Sequence, residues 1–400
     1  MLTSVELFAG AGGLAMGASL AGVRPQAVIE RDRWACETIE RNQARGFPLV
    51  SDWPVTRCDV RDFRFEEIQG PIDLVTGGPP CQPFSTGGRH RAQLDERDMF
   101  PTTVAVIRAV RPRAFVIENV RGLTRESFRN YFEYTKLQLE FPEVVRGGEE
   151  TWSAHHGRLE RARNIGADGV GTRYTVTARV LNAADYGAPQ KRERVFLVGF
   201  REDVSSGWSF ADVPSTHSLD ALLYDQWISG TYWDRHEVAS RDRREMPHRF
   251  SRRVEKLRHD GPEAVTSATP WVTVRDALID LPDPLSGEAS EISNHGFQPG
   301  ARAYPGHTGS PIDLPAKALK AGDHGVPGGE NMQVRPNGSL RYFTVREAAR
   351  LQCFPDAYVF QGAWSEAMRQ LGNAVPVALA EAVVGSVASV LRARERTEAV

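Results

Sequence analysis

The sequence predicts an α/β chain: a large, doubly wound sheet domain, then a smaller and irregular domain, with the last residues returning to the first. Short apolar runs at 4–8, 28–30, 72–76 and 113–120 are spaced by helical or loop segments, the rhythm of βαβ units. Glycine-rich turns follow the first and third of these runs, where open α/β sheets place their ligands. Residues 201–340 are rich in Pro, Gly and His and lack that rhythm. The expected divisions are 1–200, with an insertion at about 128–172, then 201–340, then 341–400.

The bulk numbers narrow the class without naming it. The 400 residues are 25% charged and 41% apolar, with a net charge of −2, so any nucleic-acid surface must be a local patch. Only five of the 49 basic residues are lysine. Arginine is the better fork for phosphate and guanine, and a GC-rich genome gives the same bias. The four cysteines, Cys36, Cys58, Cys81 and Cys353, form no CxxC pair and no zinc spacing, so they read as reduced thiols in a cytoplasmic protein with no metal site. Residues 1–6 lack a basic and apolar leader, and no run approaches 18 apolar residues. The chain is therefore expected to need neither export nor a membrane.

Ser4-Val-Glu-Leu-Phe8 reads as a buried strand, Ala9-Gly-Ala-Gly-Gly13 as a turn and 14–21 as a helix. That order brings backbone N–H groups and a helix N-terminus to an anionic group. Val28-Ile-Glu30 ends a second strand with an acid 20 residues after Gly10, a spacing that suits a carboxylate on a ribose diol. Cys58-Asp59-Val60 sets another acid in a loop. This pattern fits a nicotinamide enzyme as well as a methyltransferase.

Asp73-Leu-Val-Thr-Gly-Gly-Pro-Pro-Cys-Gln-Pro-Phe-Ser85 is the most informative stretch. Pro79 and Pro80 fix φ ahead of Cys81 and stiffen its approach. Gly77 and Gly78 let another group come close to the backbone. A thiolate on a rigid loop at a strand's carboxyl end suits covalent catalysis; a lone buried cysteine in a tight turn is the bland alternative. Arg113-Ala-Phe-Val-Ile-Glu-Asn-Val120 is an apolar strand ending in Glu118, either a helix cap, a satisfied buried acid or a catalytic group.

PPCQ at 79–82 resembles the nucleophile motif of the DNA (cytosine-5)-methyltransferases, and other segments follow in that family's order. Glu6-Leu-Phe-Ala-Gly-Ala-Gly-Gly13 is similar to its first motif, Glu118-Asn-Val120 to its ENV motif and Gln190-Lys-Arg-Glu-Arg194 to QxRxR. Arg341-Tyr-Phe-Thr-Val-Arg-Glu-Ala-Ala-Arg-Leu-Gln-Cys-Phe-Pro355 resembles RxxTxxExARLQxFP, and Gln370-Leu-Gly-Asn-Ala-Val-Pro376 resembles GNAVP. The resemblance covers residue 5 to about 390. It implies a Rossmann-like S-adenosylmethionine (SAM)-dependent methyltransferase sheet with a smaller, irregular target recognition domain at 201–340.

It also implies the site. Cys81 attacks C6 of a flipped-out cytosine in double-stranded DNA, Glu118 binds N3 and the amine, and Arg192 and Arg194 hold O2 and a phosphate. Around SAM it implies Phe8, Ala9, Gly10, Gly12, Gly13, Leu14, Glu30, Arg31, Asp59, Val60, Pro80, Met99, Asn373 and Val375. Glu30 would take the ribose and Asp59 the adenine amine. Arg31 stands where some relatives carry an adenine-stacking Trp, so that partner stays open, as does the base that removes the C5 proton. Met99 lines the cofactor pocket or the plain core.

The remaining segments carry weaker expectations. Thr344 and Glu347 have capping-box spacing. The insertion, with Arg158, Arg161, Arg163, His155 and His156, reads as a solvated surface or a DNA contact; adjacent histidines on a helix face apart. Residues 241–258 carry eight Lys/Arg against three acids, a solvated helix face or a phosphate grip. A tRNA-modifying member of the family and an inactive DNA-binding regulator are the rivals. The expected protein is a monomer. A cognate restriction endonuclease, a defence operon and a solitary role all stay open.

Overall fold

The computed structural model describes residues 1–80, 98–165, 171–205, 207–303, 308–321 and 329–398. Cys81 and the middle of the glycine loop at 321–330 therefore lie outside the described residues. The chain forms two compact units. The first holds 1–181, 193–213 and 380–400; the second holds 182–192 and 214–379.

The first unit begins β1 (Leu2–Leu7), α1 (Gly13–Leu20), β2 (Val23–Glu30), α2 (Arg33–Ala44), β3 (Val55–Arg57) and β4 (Leu74–Gly77). It continues α3 (Phe100–Val110), β5 (Ala114–Val120), α4 (Arg129–Glu140), α5 (Trp152–Ile165) and β6 (Tyr174–Asn182). After the short β7 (Gln190–Lys191) of the second unit comes β8 (Glu193–Arg201). Seven strands form one sheet in the order β3-β2-β1-β4-β5-β8-β6. The pairs among β1 to β5 are parallel, and β8 runs antiparallel to β5. The winding reverses between β1 and β4, so a crevice opens at their carboxyl ends. The doubly wound α/β expectation holds.

Parallel strands covered on both faces read as continuous apolar runs. Val5, Leu7, Ile29, Val75, Phe115, Ile117, Val195 and Leu197 are all sealed in this core. Glu6 is a polar exception. It is 1% exposed and accepts from Ser4 Oγ at 2.5 Å and from Thr76 Oγ1 on β4. Burial pushes its carboxyl upward from the usual carboxylate range, while these two hydroxyls oppose the rise. Glu6 thus ties β1 to β4 just below the crevice.

The insertion is smaller than its sequence suggests. Phe128, Tyr131 and Leu139 of the α4 region belong to the sheet's own core. The added piece is α5, whose Leu159 and Trp152 cover Tyr134, Leu137 and Phe141. His155 is buried there; its Nε2 meets the Val144 carbonyl at 2.6 Å and its Nδ1 meets the Tyr134 hydroxyl at 2.7 Å. A carbonyl can only accept, so Nε2 carries the proton and Nδ1 accepts from Tyr134. Burial lowers the His155 pKa accordingly. Arg158 is engaged by Glu150 and the Val145 carbonyl. Glu143 pairs with Arg111 at 3.0 Å, just before β5 begins. That end of a seven-residue strand is about 20 Å from the crevice. The insertion is rooted away from the crevice and packs on α4.

The second unit contains α6 (Leu219–Tyr224), α7 (Thr231–Arg235), α8 (Ser251–Asp260), α9 (Val274–Leu278), α10 (Val345–Leu351) and α11 (Trp364–Asn373). Leu222, Tyr232, Trp233 and Trp271 form one of its cores. Thr344 and Glu347 make the capping box of α10 in both directions, and Glu347 also takes the fork of buried Arg341.

α12 (Val377–Glu398) carries the chain back into the first unit. Trp364–Arg396 is long and apolar enough to span a membrane by composition, against the expectation of no such run, but 61% of its apolar window is buried. Val383, Val384, Val387 and Leu391 are fully covered. α12 crosses α1 at Gly17, where an added Cβ would lie 2.4 Å from the Ala380 Cβ and 2.6 Å from the Glu381 nitrogen. Neither neighbour is a flexible side-chain end. Gly17→Ala should therefore lower stability by about 1–3 kcal/mol, the usual penalty of overpacking, read as a lower denaturant midpoint at unchanged slope.

Candidate active site at the carboxyl rim of the sheet

The loop after β1 turns through three alternate residues of positive φ: Phe8 (52°), Gly10 (55°) and Gly12 (89°). Left-handed backbone suits glycine but costs Phe8 on the order of 1–3 kcal/mol, and such strain clusters at ligand sites. Gly12 caps α1 with no side-chain acceptor, leaving the helix's first N–H groups for another partner. A Cβ on Gly10 would meet nothing within 4 Å, so the space over the loop is open.

Glu30, at the end of β2, is nearly buried. Its carboxylate accepts from the backbone N–H of Gly10 at 2.7 Å, Arg31 at 2.8 Å and Asp32 at 2.7 Å. Three donors on about four acceptor positions leave room for a further one, which suits a hydroxyl. One strand on, Asp59 takes both arms of Arg61 at 2.8 and 2.9 Å, and Arg31 stands 3.7 Å away. Arg61 chiefly holds the Asp59 carboxyl down at about 2. Asp59 therefore remains an acceptor at neutral pH. Val60, Leu14 and Met99 are buried beside these loops, and Met99 is the N-cap of α3. The loop, the Glu30 acceptor and the Asp59 acceptor follow one another along three adjacent strand ends, a donor and acceptor set that fits an amino-acid, ribose and adenine ligand.

Glu118 and Arg194, two of the expected catalytic residues, lie across the switch point. Gly77 ends β4 opposite Leu7, and Gly78, Pro79 and Pro80 follow. Glu118, 6% exposed, is on the neighbouring β5. Its Oε1 lies 2.8 Å from Arg194 Nε, and its Oε2 would lie 3.0 Å from a Cβ placed on Gly78. Val120 pairs with Arg194 across the antiparallel ladder, so Arg194 sits diagonal to Glu118 on the same face. Asn119, whose role the sequence did not disclose, donates from Nδ2 to the Pro79 carbonyl at 3.0 Å and accepts from Val120 N–H at 2.9 Å.

Arg192 departs from its expected role. It is fully buried in the second unit and donates to the carbonyls of Leu319 at 2.9 Å and Gly372 at 2.6 Å. A guanidinium sealed this way braces backbone; its place is not that of a base-holding group. Gly372 must be glycine because Lys320 and Ala321 backbone atoms crowd it to 2.3–2.6 Å of a Cβ. Asn373, exposed, and Val375, buried, also belong to the second unit.

Three cysteines are described. Burial is the first cause raising each thiol pKa, to about 12 for Cys36 and Cys353, and upward for Cys58. None of these is poised as a thiolate nucleophile at neutral pH. No cluster of metal-binding residues occurs among the described residues.

The basic run at 241–258 is largely committed within its own unit. Arg243 pairs with Asp234 and Arg253 with Asp220. Arg244 donates to the Arg335 carbonyl and Arg258 to that of Trp227. Arg241 is 88% exposed and Arg252 is also exposed.

The model of the C-5 cytosine-specific DNA methylases matches residues 2–141 and 164–389, and the gap between them falls on the α5 insertion. The Type II methyltransferase M.Eco47II of Escherichia coli is 30% identical over 396 residues, covering 97% of this chain and 79% of that protein. M.NgoMIV of Neisseria gonorrhoeae is 29% identical, covering 95% of each chain. Among solved structures, the S. pombe Dnmt2 methyltransferase shares the fold, with a TM-score of 0.55, 19% identity and coverage of 98% and 99%. The chain belongs to the C-5 cytosine-specific DNA methylase family, and its reaction is SAM-dependent methylation of cytosine C5 in DNA.

The two arginines of the QxRxR motif should separate experimentally. Arg192→Ala strands two buried carbonyls and should lower stability by about 2–4 kcal/mol, seen in the denaturant midpoint. Arg194→Ala should cost less stability but lower turnover roughly 100-fold, measured as methyl transfer per folded molecule.

Proposed function

We propose that this chain methylates a cytosine within a short sequence of double-stranded DNA as the modification half of a restriction-modification system, using Cys81 as the nucleophile and Glu118 as the acid that meets the base. Its relatives over 95–97% of the chain are Type II methyltransferases, which supports the setting. The observation that carries the site reading is the Glu118 carboxyl, paired with Arg194 and packed against the backbone that leads to Cys81.

Cytosine C5 is a weak nucleophile, so electrons must first be added to the ring. The Cys81 thiolate forms a bond to C6. Glu118 holds N3 and the exocyclic amine, offsetting the charge that gathers there. Arg194, already against Glu118, offers charge-assisted donors to the base oxygen. When bound, SAM would supply an electrophilic methyl group on its sulfonium; the Phe8–Gly12 loop would hold its amino-acid part, Glu30 its ribose, and Asp59 with Arg31 its adenine. C5 would take that methyl as the sulfonium's S–CH3 bond breaks and its electrons return to sulfur, leaving a neutral thioether; a base then removes the C5 proton, and the C6–S bond breaks to return the thiolate. A stacked cytosine cannot reach these groups, so the base is flipped out. Asn373 and Val375 rest on their motif alone.

The second unit is the reader of sequence in this account, with the exposed Arg241, Arg249 and Arg252 as its phosphate-facing charges, because Arg243, Arg244, Arg253 and Arg258 are engaged by groups of their own unit.

Cys81→Ser should abolish turnover while leaving SAM affinity intact, since a hydroxyl is far less ionised than a thiol. Duplex DNA carrying 5-fluorocytosine should trap the wild-type protein through Cys81, because fluorine cannot leave as a proton does. An adduct at another cysteine, or turnover above about a tenth of wild type in the Ser variant, would reject the assignment. Glu118→Gln should cut turnover by roughly 100-fold with SAM affinity little changed; lost SAM affinity at normal turnover would place Glu118 in the cofactor site instead.

A further inference from the structure

A pyrimidine sets a metric requirement on the site. N3 and C6 stand opposite one another in the ring, so the group that holds N3 and the sulfur that attacks C6 must face each other across one base. Productive geometry tolerates about 0.5 Å of error. Glu118 belongs to β5, whereas Cys81 follows β4 in sequence by four residues, beyond the last ladder pair at Gly77. Something must tie the two strand ends together at the level of the base.

We infer that Asn119 is the positioning residue that fixes the nucleophile loop to the strand end bearing Glu118. It is the residue next to Glu118 and is 2% exposed. Its amide Nδ2 donates to the Pro79 carbonyl at 3.0 Å, while its Oδ1 accepts from Val120 N–H at 2.9 Å and keeps the side chain from turning. Pro79 is two residues before Cys81, and the intervening Pro80 has a locked φ. Few free torsions therefore separate the anchored carbonyl from the thiol-bearing residue. Gly78 supports the same arrangement from the other side: its backbone approaches Glu118 so closely that a Cβ would stand 3.0 Å from Oε2. Consecutive residues of one strand end, Glu118 and Asn119, thus engage consecutive residues of the other, Gly78 and Pro79. Asn119 touches neither base nor cofactor in this arrangement and acts through Pro79. The inference rests on the proposed roles of Cys81 and Glu118.

Asn119→Asp isolates the one bond. The shape and the acceptor for Val120 are kept, but an ionised carboxylate cannot donate to a carbonyl. When protonated, it can. Burial favours the protonated form of a carboxyl, so the bond should return within a workable pH range. The measurements are kcat per folded molecule from pH 5.5 to 8.5, SAM affinity by calorimetry, and the rate of adduct formation on 5-fluorocytosine duplex. At pH 8 the variant should lose at least about tenfold in kcat and in adduct rate, as expected for a misplaced reacting group, with SAM affinity within twofold. The deficit relative to wild type should shrink as pH falls. Gly78→Ala, which pushes the same loop away from Glu118 without touching Asn119, should show the same kcat-specific loss and carries the test if Asn119→Asp does not fold. A deficit in Asn119→Asp that is the same at every pH, a kcat within twofold of wild type, or an unfolded Asn119→Asp together with an unaffected Gly78→Ala would overturn the inference. If Cys81→Ser keeps turnover, the underlying site reading fails instead, whatever Asn119 does.

Discussion

The ion pair between Glu118 and Arg194 is the interaction around which the rim is organised. A carboxyl this deeply covered needs a charged partner or several hydrogen bonds, and one arginine supplies the partner because β8 runs antiparallel to β5. A parallel neighbour would require a crossover and would present a different end to the rim. The antiparallel strand in an otherwise parallel group is therefore not incidental. It delivers Arg194 to the face where Glu118 ends, while the parallel β4 delivers Gly78 and the proline pair to the other side of the same carboxyl.

In the proposed site the same rim would hold cofactor and base side by side. β1 and β4 are neighbours at the point where the winding reverses, so their exit loops diverge and leave a crevice. The β1 loop passes through left-handed backbone at Phe8, and the N–H groups of Ala9, Gly10 and Gly12 are taken by Ile29, Glu30 and Ala9. In the proposed site Glu30 and Asp59 would extend the cofactor side along β2 and β3, and Glu118 with Asn119 the base side along β5. Glu6, buried with Ser4 and Thr76, holds the two central strands at the floor of this crevice. A methyl group can then pass between ligands bound to adjacent strand ends.

Much of this was legible in the sequence because it is local. Strand, glycine turn and helix follow one another within twenty residues, and the acids at strand ends are visible as breaks in apolar runs. What the sequence hid depends on partners far along the chain. Arg192 and Arg194 look equivalent by strand alternation, yet the ladder breaks between β7 and β8, so Arg192 turns to Leu319 and Gly372 instead. The insertion looked longer because the outer face of α4 is polar, which disguised Phe128, Tyr131 and Leu139 as surface. The basic run looked free because Asp220 and Asp234, which neutralise two of its arginines, precede it and carry no local signal. Asn119 was visible only as part of a motif; its bond to Pro79 is a tertiary fact.

The central claim is that this chain puts a methyl group on C5 of cytosine in a defined DNA sequence. Its most direct test is to incubate the purified protein with SAM and unmethylated duplex DNA, hydrolyse the DNA to nucleosides for mass spectrometry, and map the modified positions by bisulfite sequencing. The account predicts 5-methylcytosine confined to one short sequence context. Methyl groups on an exocyclic amine of cytosine or adenine, or transfer to tRNA with none to duplex DNA, would contradict it.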